Sequence, residues 1–196
     1  MKINTPNKLT LVRILLVPAF MLFIMYPIPD DHVSRFIAAF IFFATALTDF
    51  FDGYIARHTG AVTNFGKFLD TLADKFMILG ALIAFCASPE YNFLSHYLVW
   101  VTLIVFLREL SVTSLRLLVK TGEGKVVGAN IAGKLKTVSQ CVCVMTLILE
   151  PVVVTERYDW YPGVLSLFTM GVMVSLTLLS GYLYFRTYWK DLDPQA

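Results

Sequence analysis

The chain has 196 residues, of which 57% are hydrophobic and 15% charged, with a formal net charge of +2 and a mean hydropathy of +0.69. Such a composition is too apolar to keep most of its surface in water, which excludes an ordinary soluble domain. The chain reads as one all-α integral membrane domain over 1–196, and nothing in it points to a nucleic-acid partner.

Crossing the hydrocarbon of a bilayer takes about 20 helical residues. Apolar runs of that length predict six transmembrane helices, over 9–27, 34–57, 66–88, 94–119, 131–150 and 163–187. The first run follows Lys2 and Lys8, but Arg13 and Pro18 interrupt it and no small-residue cleavage site precedes Pro27-Ile28-Pro29, so it reads as a retained helix. Cys86, Cys141 and Cys143 lie in apolar runs and form no ligand or disulfide pattern, and His32, His58 and His96 are scattered. Lys and Arg near helix ends stay on the cytoplasmic side. All of the 16 except Arg35 and Arg157 fall on the side that holds both termini, so both termini are expected in the cytoplasm of a multi-pass cell-membrane protein. Tyr182, Tyr184, Tyr188 and Trp189 beside Arg186 and Lys190 read as an interfacial anchor among membrane lipids.

The stretch TDFFDGYIARHTGAVTNFGKFLDTLADK, residues 48–75, breaks the apolar sequence. Asp49, Asp52, Gly53 and Ala56 fall on one helical stripe, and Gly66, Asp70 and Asp74 fall on another at the start of the next helix. The two stripes are placed to face each other across a helical hairpin. One such aspartate could be a helix-end carboxylate paired with Arg57, Lys67 or Lys75. Four at membrane depth would cost on the order of 10 kcal/mol and repel one another unless cations neutralise them. Oxygen-only ligation suits two divalent cations, Mg²⁺ or Mn²⁺, which can clamp a phosphate during in-line displacement. The small Gly53, Ala56 and Gly66 leave room for a nucleotide against the helices.

The full motif, DxxDGxxARx8GxxxDxxxD, resembles the signature of the CDP-alcohol phosphotransferase family at all eight of its positions. The resemblance implies six transmembrane helices and a homodimer. It makes Asp49, Asp52 and Asp70 metal ligands, puts Asp74 at the place of the general base, also touching metal, and sets Gly53, Ala56 and Gly66 against the CMP portion. Arg57 matches the family's arginine. NTPNKLTLVRILLVP at 4–18, RELSVTSLRLL at 108–118 and GKLKT at 133–137 resemble the branch of that family whose acceptor is sn-glycerol 3-phosphate. In the first of these segments Asn7 and Thr10 either hydrogen-bond the nucleotide or its pyrophosphate, or cap the first helix. Thr71 departs from the proline that many relatives carry there, and it touches none of the eight positions.

The expected reaction is therefore CDP-diacylglycerol plus glycerol 3-phosphate giving phosphatidylglycerophosphate and CMP, at an active site facing the cytoplasm. An acceptor phosphate approaching an anionic pyrophosphate needs positive charge beyond the metals. Arg108, Arg116, Lys134 and Lys136 are the candidates, because Arg108 and Arg116 lie about 80° apart around one helix and Lys134 and Lys136 open the next. They would otherwise serve topology or lipid headgroups, with Arg108 pairing locally with Glu109 or Glu123. The alternatives are another family acceptor (cardiolipin-type, phosphatidylinositol-phosphate or phosphatidylserine synthesis), a metal-dependent phosphate ester hydrolase, and a cation transporter. A transporter would spread its carboxylates through the bilayer depth and show repeats or broken helices.

Overall fold

The computed structural model describes residues 5–59, 64–121, 131–154 and 163–189, with the side chains of 5–9, 49–59, 64, 65, 67, 70 and 117–121 outside that description. Six long helices account for nearly all of it: α1 (Thr5–Met25), α2 (Asp31–Thr59), α3 (Asn64–Ala87), α4 (Ser95–Thr121), α5 (Ile131–Val153) and α6 (Val164–Tyr188). A short 3-10 helix, Pro89–Leu94, leads into α4, and no strand occurs among the described residues. Each predicted helix is present, with ends shifted by a few residues. Among the described residues four stretches are long and apolar enough to cross a membrane: Asp31–Thr48, Pro89–Arg116, Ile131–Val153 and Val164–Tyr188. The described apolar stretch of α1 is Thr10–Met25.

In cross-section the helices follow one another as α1, α3, α4, α6, α5, α2 and back to α1, with α3 also touching α5. Among the described residues α1 packs against both α2 and α3. The hairpin expected to set Asp49, Asp52, Gly53 and Ala56 against Gly66, Asp70 and Asp74 falls on side chains most of which lie outside the described residues. The buried stripe of α1, Thr10, Arg13, Val17, Phe20 and Ile24, recurs every three or four residues and so forms one face. Opposite it α3 offers the small Ala73, Ala81 and Ala84, all fully buried, together with Gly80. Small residues let backbones approach closely. At Gly80 a Cβ would stand 2.7 Å from Val17 Cγ1 and 3.4 Å from Met21 Sδ. The outer faces are rich in exposed apolar side chains, among them Leu15, Phe40, Trp100, Phe168 and Leu178.

Two polar arrangements close the end of the bundle that carries the start of α2 and α6. Arg35, buried on α2, pairs with Glu90 and donates hydrogen bonds to Tyr91 Oη (2.5 Å) and the Ile148 carbonyl (3.3 Å). Tyr91 in turn donates to the Leu147 carbonyl at 2.7 Å, so α2, the 3-10 helix and α5 are tied at one point. Glu150, also buried, accepts from the Leu165 and Ser166 amides (2.9 and 2.7 Å) and from the Ser166 hydroxyl. A carboxylate there answers both the unpaired amides and the dipole of the α6 N-terminus. Gly163 just before it has φ +94°, and a Cβ would meet Phe93 Cε2 at 2.4 Å, so the turn requires glycine.

Replacing Gly80 with valine should push α1 off α3. We expect a loss of about 1–3 kcal/mol, the usual cost of overpacking, read as a lower unfolding temperature of the purified protein in detergent. An unchanged transition would mean that α1 and α3 do not pack through Gly80.

Candidate functional site: a cationic cavity beside Asp74

At the other end of the bundle the basic residues gather. The last turns of α2, α4 and α6 and the first turns of α1, α3 and α5 share this end, because successive helices alternate in direction. A cavity of about 350 Å³ opens there between α3, α4, α5 and α6. Its wall brings together Asp74 and Lys75 of α3, Arg108, Glu109 and Arg116 of α4, Lys134 and Lys136 of α5, and Tyr184 of α6. All four basic residues singled out from the sequence thus line one space with Asp74. Ile78, Leu79 and Val105 give it an apolar floor, with Gln140 beside them.

The cations are held in place by specific partners. Glu109 accepts from Arg108 Nη1 at 3.2 Å and pairs with Lys136, so a single carboxylate spans α4 and α5. Arg108 Nη2 also donates to Ser180 Oγ (2.5 Å), and its stem passes α6 at Gly181, where a Cβ would lie 3.3 Å from Arg108 Cγ. Arg116 Nη2 donates to Tyr184 Oη at 3.1 Å. The Tyr184 ring lies 5.9 Å from the Arg108 guanidinium and 5.6 Å from that of Arg116, within reach of cation–π attraction to both. Lys75 donates to Thr113 Oγ1 at 2.5 Å, and Thr113 donates to the Glu109 carbonyl at 2.7 Å. The guanidinium of Arg13, whose side chain is 1% exposed, lies 3.9 Å from Asp74 Oδ1, while Asp74 is 56% exposed toward the cavity.

Several residues here carry roles that the sequence reading had not given them. Tyr184 is no interfacial anchor, since it and Tyr188 are buried with their rings stacked 6.2 Å apart, whereas Tyr182 and Trp189 are exposed. Helical spacing explains the split, because 184 and 188 are one turn apart on the inward face and 182 is not. Asp74 also has basic company that its own helix face does not reveal: Arg13 reaches it from α1. Glu109, expected as a local partner of Arg108, does pair with it and also takes Lys136, while only the helical register of 136 and 140 could have put Gln140 beside Lys136 on the inward face.

The acidic stripes follow from the backbone alone. Asp49 and Asp52 lie ten and seven residues before the end of α2 at Thr59, and Asp70 and Asp74 lie six and ten residues after the start of α3 at Asn64. At about 1.5 Å per residue all four occupy the same band, roughly 10–15 Å from that end. The side chains of Asp49, Asp52, Gly53, Ala56, Arg57 and Asp70, and that of Asn7, lie outside the described residues. Gly66 is half-buried at the start of α3, and Thr10 is buried on α1 one turn before Arg13. Among the described residues no three His, Cys, Asp or Glu side chains gather. Carboxylate oxygens are the donor type that hard divalent cations take, and Asp74, the one of the four whose side chain is described, is open to the cavity.

The CDP-alcohol phosphatidyltransferase family matches residues 3–179. The CDP-diacylglycerol–glycerol-3-phosphate 3-phosphatidyltransferase of Bacillus subtilis (strain 168) is 37% identical over 201 aligned residues, covering 96% of this chain and 97% of that protein. The protein of the same name from Escherichia coli (strain K12) is 34% identical over the full length of both chains. A probable phosphatidylglycerophosphate synthase of Mycobacterium tuberculosis (strain ATCC 25618 / H37Rv) is 34% identical, over 96% of this chain and 83% of its own.

Because Glu109 answers two cations, its loss should weigh more than the loss of either. Glu109→Leu is expected to destabilise by about 3–5 kcal/mol, the cost of stranding buried charge. Lys136→Met should cost less, because Arg108 still answers the carboxylate. Equal losses in denaturant titrations of the two variants would show that the cations do not share it.

Proposed function

The chain belongs to the CDP-alcohol phosphatidyltransferase family, and from that premise we propose that it moves the phosphatidyl group of CDP-diacylglycerol to sn-glycerol 3-phosphate, forming phosphatidylglycerophosphate and releasing CMP. The observation that carries this reading is the cavity, where five cations and Asp74 surround a space at the small end of ligand pockets. A small dianionic alcohol fits that chemistry. Arg108 and Arg116 can bind its phosphate through paired N–H groups, with Lys134 and Lys136 adding charge. The reacting hydroxyl is then held toward Asp74, which takes its proton as general base. Arg13 fixes the position of the Asp74 carboxylate from α1.

Asp49, Asp52, Asp70 and Asp74 would hold two divalent cations, Mg²⁺ or Mn²⁺, which supply charge stabilisation for the CMP leaving group. Gly53, Ala56 and Gly66 leave space for the nucleotide along α2 and α3, and Asn7, Thr10 and Arg57 bind the donor headgroup. All six helices cross the bilayer, with both termini and the cavity mouth on the cytoplasmic side. The concentration of Lys and Arg at this end supports that orientation, and the exposed apolar side chains around the bundle support the bilayer setting. A lipid donor keeps its acyl chains in the bilayer while the soluble acceptor enters from water.

The test uses sealed membrane vesicles that contain the full-length protein and labelled CDP-diacylglycerol and lack a glycerol phosphate carrier. Vesicles with the cytoplasmic face outward should release CMP when glycerol 3-phosphate is added, and right-side-out vesicles only after permeabilisation. EDTA should stop the release, and Mg²⁺ or Mn²⁺ should restore it. Release that needs no glycerol 3-phosphate would sink the proposed transfer, and release indifferent to EDTA would sink the metals. Equal activity in both sealed preparations would sink the orientation alone.

Asp74→Asn should preserve insertion and donor binding while lowering turnover by about 10²–10⁴-fold, the range for loss of a general base. Turnover within a few-fold of wild type, measured in single-turnover assays, would remove Asp74 from that role.

A further inference from the structure

Resting on the proposed transfer, we propose that Gln140 determines acceptor specificity by hydrogen-bonding the non-reacting C2 hydroxyl of glycerol 3-phosphate. Gln140 lies one helical turn beyond Lys136 on the same face of α5 and lines the cavity floor beside Ile78, Leu79 and Val105. It is 2% exposed, and its Nε2 has no hydrogen-bond partner among the described residues. A buried polar donor without a partner is destabilising, so such a group in a ligand cavity points to a partner that the ligand brings.

The other neutral polar side chains around Gln140 are engaged. Thr113 donates to the Glu109 carbonyl at 2.7 Å, Thr137 to the Gly133 carbonyl at 3.2 Å, and Tyr184 Oη accepts from Arg116 at 3.1 Å. Arg108 and Lys136 are tied to one another through Glu109. Glycerol 3-phosphate presents three features to this wall: a dianion, an attacking hydroxyl and a second hydroxyl. The guanidinium and ammonium groups answer the first and Asp74 the second. The third both donates and accepts, and a carboxamide does the same. Arg108 Nε, a second buried donor in the same wall without a partner among the described residues, leaves one more N–H for the phosphate side of the ligand. An amide at the floor therefore reads the part of the acceptor that takes no part in the chemistry. A site that hydrogen-bonds a hydroxyl discriminates against the analogue that lacks it.

The experiment compares glycerol 3-phosphate with 3-hydroxypropyl phosphate, which lacks only the C2 hydroxyl, as acceptors for the full-length enzyme in mixed micelles with CDP-diacylglycerol. The wild type should prefer glycerol 3-phosphate by at least about tenfold in kcat/KM. Gln140→Leu should lower kcat/KM for glycerol 3-phosphate roughly 5- to 100-fold, and leave that for 3-hydroxypropyl phosphate within about twofold. Its KM for CDP-diacylglycerol should not change. If the leucine variant does not assemble, Gln140→Asn, which withdraws the amide by one methylene, should show the same selective loss. A wild type indifferent to the C2 hydroxyl overturns the assignment, as does a variant that loses equally on both acceptors. Absence of any glycerol-3-phosphate-dependent CMP release from the wild type overturns the transfer itself and Gln140's role with it. Acceptor-dependent release without C2 preference overturns only Gln140.

Discussion

Charge placed inside an apolar helix bundle has to be answered within hydrogen-bond reach, because neither hydrocarbon nor a packed core solvates it. The two ends of this bundle meet that demand differently. At the end that carries the start of α6, each described buried charge is matched: Arg35 by Glu90 and Tyr91, and Glu150 by the α6 amides and Ser166. That end is a closed clamp. At the opposite end Lys75, Arg108, Arg116, Lys134 and Lys136 share one cavity with two carboxylates among the described residues, Asp74 and Glu109. Repulsion among them is limited by Glu109 and by the Tyr184 ring, and the surplus of positive charge remains available to an anion.

The order of the helices explains how segments far apart in the chain meet there. Because α1 packs along α3, Arg13 can reach Asp74 while its neighbours on the same face continue into the core. Because α4 touches both α3 and α6, its polar face can look across at Lys75 on one side and at Ser180 and Tyr184 on the other. Small residues make these approaches possible: Gly80 under Val17, and Gly181 under the stem of Arg108. The apolar floor formed by Ile78, Leu79 and Val105 then limits how deep a charged ligand can sink.

This division of the molecule suits a reaction between a lipid and a water-soluble partner. A carboxylate band at one depth on α2 and α3 lies beside a basic cavity at the same end, so a donor lying along the bilayer and an acceptor from water can meet near Asp74.

Much of this was legible in the chain itself. The number of helices and their ends follow from the length of apolar runs, which must satisfy every backbone hydrogen bond within the segment. The sharing of faces by Asp49 with Asp52, by Asp70 with Asp74, and by Arg108 with Arg116 follows from helical periodicity, a property of one helix at a time. The family follows from the motif over residues 49–74. The partners across helices were not legible: Arg13 with Asp74, Glu109 with Lys136, and Tyr184 with two arginines. Nor was the packing of α1 against both α2 and α3. Periodicity states which residues share a face and says nothing of which helix that face meets. That choice rests on the fit of small against large side chains and on the need of each buried charge for a counterpart, both of which exist only once the helices have packed.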